Sequence, residues 1–390
     1  MDQQKLPQSR IFSMLTLIAF TVVLWIPLLQ MWFHFVPESA STEKRTLEPK
    51  PELKSFSIKN IKDFLGKYET YYNDQFGFRI TLVRWNNIFR IKYLKTKQQL
   101  SDVVIGKDGW LFYNNKDEPN LDDYCGLVPF TYEQLSEIQK SIEEDYTILK
   151  EKGIYYIIIV SPNKHTIYPE YLPWNIHRTS NQTRLDQLVD HLAGHSVVPF
   201  LDLRAPLLQA KHSSLLYLKT DTHWNTYGSF IAYQEIIKFL ARKFPELHER
   251  SLAEYEIHME KTAGDGDLAG MLSMKGMFED LRIHMPSRLE RLSQEQEIVS
   301  DFKKVLFVYK SFQTSCPDKL RLVMYHDSFG GGLKCFLSEH FSRCMYVHDV
   351  YGKYLPPYQV IDEEKPDIVI REVVERYLNN LRKPLFTPEP

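Results

Sequence analysis

Two short segments carry residue types that could perform acyl transfer. The first runs Thr220-Asp221-Thr222-His223-Trp224-Asn225 and leads into a long helical pattern. The second is an apolar stretch, residues 322–325, followed by His326-Asp327-Ser328-Phe329 and Gly330, Gly331 and Gly332. A serine on a tight strand-to-helix turn exposes its hydroxyl at the strand's carboxyl end. The helix start that follows offers backbone N–H groups and a partial positive charge, both suited to an oxyanion. Glycines there let the backbone approach a substrate closely. A serine hydroxyl is a weak nucleophile and needs a base, for which His223 is the candidate. The base needs a carboxylate to fix its tautomer, for which Asp221 is the candidate. Spacing leaves the assignment open, because neighbours two apart on an extended strand also share a face. Asp-Ser ahead of a helix is also an ordinary N-cap.

These segments need elements to position them. Residues 154–160 (IYYIIIV) follow Gly153 as a continuous apolar run, the pattern of a strand buried on both faces. Residues 197–203, 320–325, 344–347 and 368–370 read as further short strands. Helical patterns cover 132–152, 183–193, 226–244 and 333–341. Buried strands alternating with amphipathic helices predict an α/β domain with a mostly parallel sheet. Ligands in such sheets sit at the carboxyl ends of the strands. Asn163 and Lys164 follow one such end, and read either as substrate contacts or as a turn with a solvated lysine. Asp267, in Gly264-Asp265-Gly266-Asp267, could shape a cleft rim, but Gly-Asp-Gly is first a turn signal and lacks calcium-loop spacing. His191 and His195 are four apart with no evident third ligand, so no metal site is expected.

The chain has 390 residues and a formal net charge of -2, from 48 basic and 50 acidic groups, which argues against nucleic acid as the main partner. Residues 11–35 contain no charged side chain and are long enough to cross about 30 Å of hydrocarbon as a helix. The run exceeds a signal-peptide core, and Ser39-Ala40-Ser41 is a poor cleavage site, so an uncleaved anchor is expected. Lys5 and Arg10 against Asp2 favour a cytoplasmic amino terminus, residues 1–10, with the body outside. Residues 36–56, with Pro37, Pro49 and Pro51, read as a linker. Residues 57–97 read as a helical segment capped by Ser57, and residues 98–390 as the catalytic domain. Four cysteines lack any Cys-x-x-Cys spacing, and Cys335 with Cys344 is the first guess for a bridge.

Asp221-Thr222-His223-Trp224, with Asp327-Ser328-Phe329 about a hundred residues later, resembles the alginate O-acetyltransferases of the AlgX/AlgJ type and their SGNH-hydrolase-like relatives. Residues 106–112 (GKDGWLF), Pro162-Asn163-Lys164, Tyr168-Pro169, Leu172-Pro173, residues 366–370 (PDIVI) and Glu375-Arg376-Tyr377-Leu378 fit the same pattern in the same order. The resemblance covers about residues 43–380 and is nearer the AlgJ branch. It implies a three-layer α/β/α domain whose Asp-x-His precedes the serine, as if circularly permuted relative to ordinary SGNH hydrolases. It implies a triad of Asp221, His223 and Ser328, with the Ser328 or Phe329 amide in an oxyanion hole. The implied activity is acetylation of an exported or cell-surface polysaccharide through an acyl-serine, with the catalytic domain in the periplasm. A polysaccharide acetylesterase using the same triad and a non-catalytic polysaccharide-binding scaffold are the alternatives. No nucleotide fingerprint or phosphate cradle is visible, so no cofactor is expected. The acyl group is then handed over by a multi-spanning membrane-bound O-acyltransferase.

Overall fold

The structure is a computed structural model that describes residues 8–36, 47–53, 55–93, 102–115, 118, 120–296, 309–316, 318–348 and 357–386. Most of the expected linker, and the expected end of the helical segment near residue 97, lie outside the described residues. The chain divides into two compact units, residues 1–96 with 270–274, and residues 97–269 with 275–390.

The first unit contains α1 (Gln8–Phe33), α2 (Ile58–Gln75) and α3 (Arg79–Lys92). Within α1, Ile11–Phe33 has 23 residues, and its most apolar 18-residue window has a mean hydropathy of 2.3 with no residue buried, whereas Gln30 near its end is buried. At 1.5 Å per residue the segment reaches about 35 Å, enough to cross a bilayer core. It is consistent with a single-pass membrane anchor. Ser57 caps α2, its hydroxyl accepting from the Asn60 amide at 3.2 Å.

The second unit opens with a hairpin of β1 (Val103–Ile105) and β2 (Leu111–Tyr113), then α4 (Asn120–Cys125) and α5 (Tyr132–Glu151). Next come β3 (Tyr155–Ser161), α6 (Lys164–Ile167), α7 (Arg184–His195), β4 (Phe200–Asp202), α8 (Arg204–Ala210) and α9 (Thr226–Ala241). A second hairpin of β5 (His258–Thr262) and β6 (Asp280–His284) brackets α10 (Asp267–Met271). Last are β7 (Ser293–Gln296), β8 (Tyr309–Thr314), β9 (Arg321–His326), α11 (Lys334–Leu337), β10 (Arg343–His348), α12 (Pro357–Glu364) and β11 (Ile368–Val374). The main sheet has the order β4-β3-β11-β9-β10-β8-β7. Its first five strands are parallel, and β8 and β7 extend it antiparallel.

Alternation along the parallel strands builds the layers. Tyr156, Ile158 and Val160 of β3 share one core with Ile138 and Ile142 of α5 and Leu185 and Leu188 of α7. Ile157 and Ile159 face the other core, with Phe230, Tyr233 and Ile237 of α9. Each fully buried aliphatic side chain stabilises by roughly 1.5–3 kcal/mol relative to exposure. The result is the three-layer α/β/α sheet with mostly parallel strands. Capping boxes start the two helices of one layer, Thr131 with Gln134 for α5 and Thr183 with Asp186 for α7.

The cysteine expectation is corrected. Cys335 is exposed and Cys344 lies buried in β10, and both are free thiols. Strand packing holds Cys344 beside the Ser338 and Tyr346 hydroxyls, and burial pushes its thiol up to about 12. His191 and His195 take local bonds, to the Gln139 amide oxygen and to the His191 carbonyl.

Candidate active site

The serine turn forms at the carboxyl end of β9. β9 and β3 flank β11, with Val374 opposite Ser161, so Ser328, Asn163 and Glu375 leave the sheet at one edge. The turn is held by two buried carboxylates. Asp327 accepts from the Phe329 amide at 2.9 Å and the Val374 amide at 2.6 Å. Glu372 accepts from the Asp327 amide at 3.2 Å and the Ser161 hydroxyl at 2.5 Å. Burial pushes both carboxyls up, and the repulsion from Asp327 raises Glu372 further. Gly330 is required, because a Cβ there would lie 2.4 Å from the His326 Cβ. His326 is buried, and burial holds its imidazole neutral, well below its ordinary range. Ser328 itself is exposed.

The Asp-x-His loop precedes α9, whose N-cap Asn225 accepts from the Gly228 amide at 2.9 Å. Two groups far away in sequence clamp it. The Lys164 ammonium donates to the carbonyls of Leu218 (3.0 Å), Lys219 (3.0 Å) and Asp221 (2.6 Å). The Asp280 carboxylate accepts from the Lys219 amide (2.9 Å), the Thr220 amide (2.8 Å) and the Thr220 hydroxyl (2.5 Å). Gly266 packs against the Thr220 carbonyl, which a Cβ would approach to 2.3 Å.

Inside the loop, His223 Nδ1 lies 2.6 Å from Asp221 Oδ1, which also accepts from the His223 amide at 3.0 Å. Asp221 Oδ2 accepts from the Asp267 amide at 2.9 Å. Burial alone would raise the Asp221 carboxyl, but the bond to His223 and its charge outweigh it and hold the group well below the usual carboxylate range. The Asp267 carboxylate accepts from the Thr222 amide (2.8 Å) and hydroxyl (2.7 Å). Donor atoms of Asp221, His223 and Asp267 lie within 4.8 Å of one another, a spacing a metal could use. The chain's own N–H and O–H donors already engage these carboxylates, which suits an oriented base better than a cation site.

Phe329 joins the two segments. Its ring centroid lies 5.0 Å from that of His223 and 5.1 Å from that of Trp224. The residue next to Ser328 therefore packs on the His223 ring. His223 Nε2 is buried and makes no hydrogen bond among the described residues.

Asn163 is buried with its amide oxygen 3.2 Å from Arg376 Nη1, while its Nδ2 has no hydrogen-bond partner among the described residues. The Asn163 backbone N–H donates to Glu375 at 2.8 Å, whose carboxyl burial raises to about 7. A cavity of about 10 Å³ between Asn163, Lys164, Thr222, Arg376 and Tyr113 has room for one water.

Two of the expected contact groups are engaged within the chain. The three carbonyl bonds of Lys164, with Trp110 and Phe112 beneath it, have the geometry of a loop clamp. Burial pulls its ammonium down to about 8. The Phe329 amide is engaged by Asp327, which leaves the Ser328 amide and Asn163 Nδ2 as oxyanion-hole candidates. Asp280, Glu372 and the orienting part played by Asp267 were not foreseen. Only the Gly-Asp-Gly turn signalled any of them.

A family model described as an SGNH hydrolase-like domain, acetyltransferase AlgX, matches residues 103–312, more than half of the chain. The chain belongs to the AlgX acetyltransferase family. The match includes Asn163, Lys164, Asp221, His223 and Asp267, and ends before Ser328. Among family relatives, the probable alginate O-acetylase AlgJ of Pseudomonas fluorescens is 27% identical over 327 residues, covering 80% of this chain and 76% of that protein. The Pseudomonas aeruginosa AlgJ is 24% identical over 334 residues, covering 80% and 78%. The solved structure of Bacillus cereus PatB1 shares the fold with a TM-score of 0.54 at 14% identity, covering 74% of this chain and 99% of that one.

Proposed function

We propose that this chain is an extracytoplasmic O-acetyltransferase that passes an acetyl group to hydroxyls of a polysaccharide through an acyl-Ser328 intermediate. The observation that carries the reading is the Asp221–His223 pair packed on Phe329, the residue after an exposed serine. His223 Nε2 accepts the Ser328 proton as Oγ attacks the acyl carbonyl carbon. The oxyanion is held by the Ser328 amide and Asn163 Nδ2. Collapse breaks the bond to the leaving group, which takes the proton from His223. A sugar hydroxyl then attacks acyl-Ser328, giving its proton to His223, and Ser328 Oγ leaves and recovers that proton. Asp221 keeps Nδ1 protonated and stabilises the imidazolium at each step.

The relatives' printed names support acetylation, and alginate is named as the polymer of the AlgJ proteins. The excess of Lys5 and Arg10 over Asp2 supports an amino terminus inside and a catalytic unit in the periplasm. An acyl donor outside the cytoplasm implies a membrane-bound O-acyltransferase partner, and an anchor raises the effective concentration for that transfer.

The test incubates the chain with an activated acetyl ester, with and without an oligosaccharide acceptor. Acetylated sugar that disappears in Ser328→Ala supports the reading. Free acetate alone, unchanged by sugar, makes the protein an esterase.

A further inference from the structure

Helix α3 presents an apolar stripe to solvent. Leu82, Trp85 and Phe89, with Tyr93 at its C-cap, are each at least 48% exposed. At 3.6 residues per turn they occupy about 80° of arc. The protein-facing side lies nearly opposite, where buried Asn87 donates to the Leu272 carbonyl at 2.9 Å. The charge on α3 is one-sided. Residues 79–93 contain Arg79, Arg84, Arg90 and Lys92 and no acid. By the same helical geometry Arg79 and Arg90 border one edge of the stripe.

Helix α2 makes the contrast. Ile58, Ile61, Leu65 and Tyr68 also form an exposed row, but Lys59, Lys62 and Lys67 are balanced by Asp63, Glu69 and Asp74. Apolarity is common to both helices, whereas a wholly basic character belongs to α3.

Continuity supplies the second argument. The turn between α2 and α3 seats on the end of the apolar helix α1. A Cβ on Gly77 would fall 2.1 Å from the Pro27 carbonyl and 2.8 Å from the Gln30 Cβ, so glycine permits the approach. The Phe78 and Phe35 rings lie 6.1 Å apart. If α1 crosses the membrane, α3 starts at the membrane surface. A short helix there with aromatics on one face, and arginines and no acids beside them, has the composition of an interfacial helix.

We propose that α3 lies in the headgroup layer of an anionic bilayer, with Leu82, Trp85, Phe89 and Tyr93 inserted toward the acyl chains and Arg90 at the edge of the stripe paired with lipid phosphate. The protein then holds the membrane at two places, the span and this helix. Two signals together anchor more firmly, and fix orientation better, than one.

Nitroxide labelling of the full chain tests this. Cys316 and Cys335 are replaced by serine, while Cys125 and Cys344 are buried. Single cysteines are placed at 84, 85 and 89, each variant being checked for retained esterase activity. The protein is reconstituted in vesicles of phosphatidylethanolamine and phosphatidylglycerol, and collisions with oxygen and with an aqueous nickel chelate are compared. The expected result is an excess of oxygen collisions at 85 and 89, inverted at 84 on the other side of the helix. Equal exposure of all three sites to the nickel chelate would overturn the proposal. Exclusion of both reagents at 85 and 89 would also overturn it, in favour of cover by a protein.

Discussion

Replacing Asp221 by asparagine tests the triad at its most determined point. Three N–H groups converge on this carboxylate: His223 Nδ1–H at 2.6 Å and the His223 amide at 3.0 Å on Oδ1, and the Asp267 amide at 2.9 Å on Oδ2. An asparagine offers one acceptor oxygen. If that oxygen faces His223, its NH2 group meets the Asp267 N–H, a buried donor facing a donor that costs about 1–3 kcal/mol. If it faces Asp267, the NH2 group meets Nδ1 and forces the proton to Nε2, where the base must be free. Either orientation removes the negative charge that stabilises the imidazolium. Loss of such a carboxylate lowers turnover by about 10⁴, equivalent to about 5 kcal/mol. The assay is hydrolysis of an activated acetyl ester, with thermal melts confirming the fold. A loss smaller than about tenfold would refute the assignment. In that case Asp267, whose Oδ2 lies 3.9 Å from His223 Nδ1, would be the alternative carboxylate, and Asp267→Asn should then be the crippling change. The present account gives Asp267→Asn a smaller loss, about 5–100-fold, for a misplaced loop.

Three further outcomes are expected. Glu375→Gln keeps an acceptor for the Asn163 amide and the Thr166 hydroxyl while removing a buried acid. Because the folded carboxyl is raised from 4.5 to about 7, its contribution is full below pH 4.5 and is lost as pH rises through about 7. The variant should therefore gain on the parent by up to about 3 kcal/mol between pH 4.5 and 8, measured by denaturant melts, and a constant difference would contradict the shift. Lys164→Met strips the donors from three carbonyls and should destabilise by about 2–4 kcal/mol, with turnover falling as the Asp221 loop loosens. Unchanged stability with only a raised KM would instead mark Lys164 as a substrate contact. Alkylation of the unfolded chain without reductant should label both Cys335 and Cys344, and protection of the pair would reinstate a bridge.

The parallel core was legible because each buried strand is a short apolar run, as in residues 154–160, and because the helical patterns at 132–152 and 183–193 alternate with such runs; the Thr131 and Thr183 capping boxes came to light only in the structure. The 333–341 helical pattern forms only Lys334–Leu337 as α-helix: Leu333 ends the 3₁₀ turn through the three glycines, and from Ser338 the chain turns toward β10. The hairpin of β5 and β6 was missed because β5 is polar and exposed, and the alternation in β6 is confined to Leu281 and Ile283, too short to mark a strand by itself. Within the site, Asp221, His223 and Ser328 stood out by residue type. Their supports did not, because Asp280 and Glu372 act across 60 and 45 residues of chain and no local pattern betrays a carboxylate that caps a distant loop.

The central claim is that Ser328 carries the acyl group. Intact-mass measurement after rapid mixing with an activated acetyl ester, followed by peptide mapping, tests it most directly. The account predicts one added acetyl group, located on Ser328, absent from Ser328→Ala and released when an oligosaccharide acceptor is supplied. An acetyl group on another residue, or an unlabelled enzyme whose Ser328→Ala variant acetylates sugar at the parent rate, would contradict it.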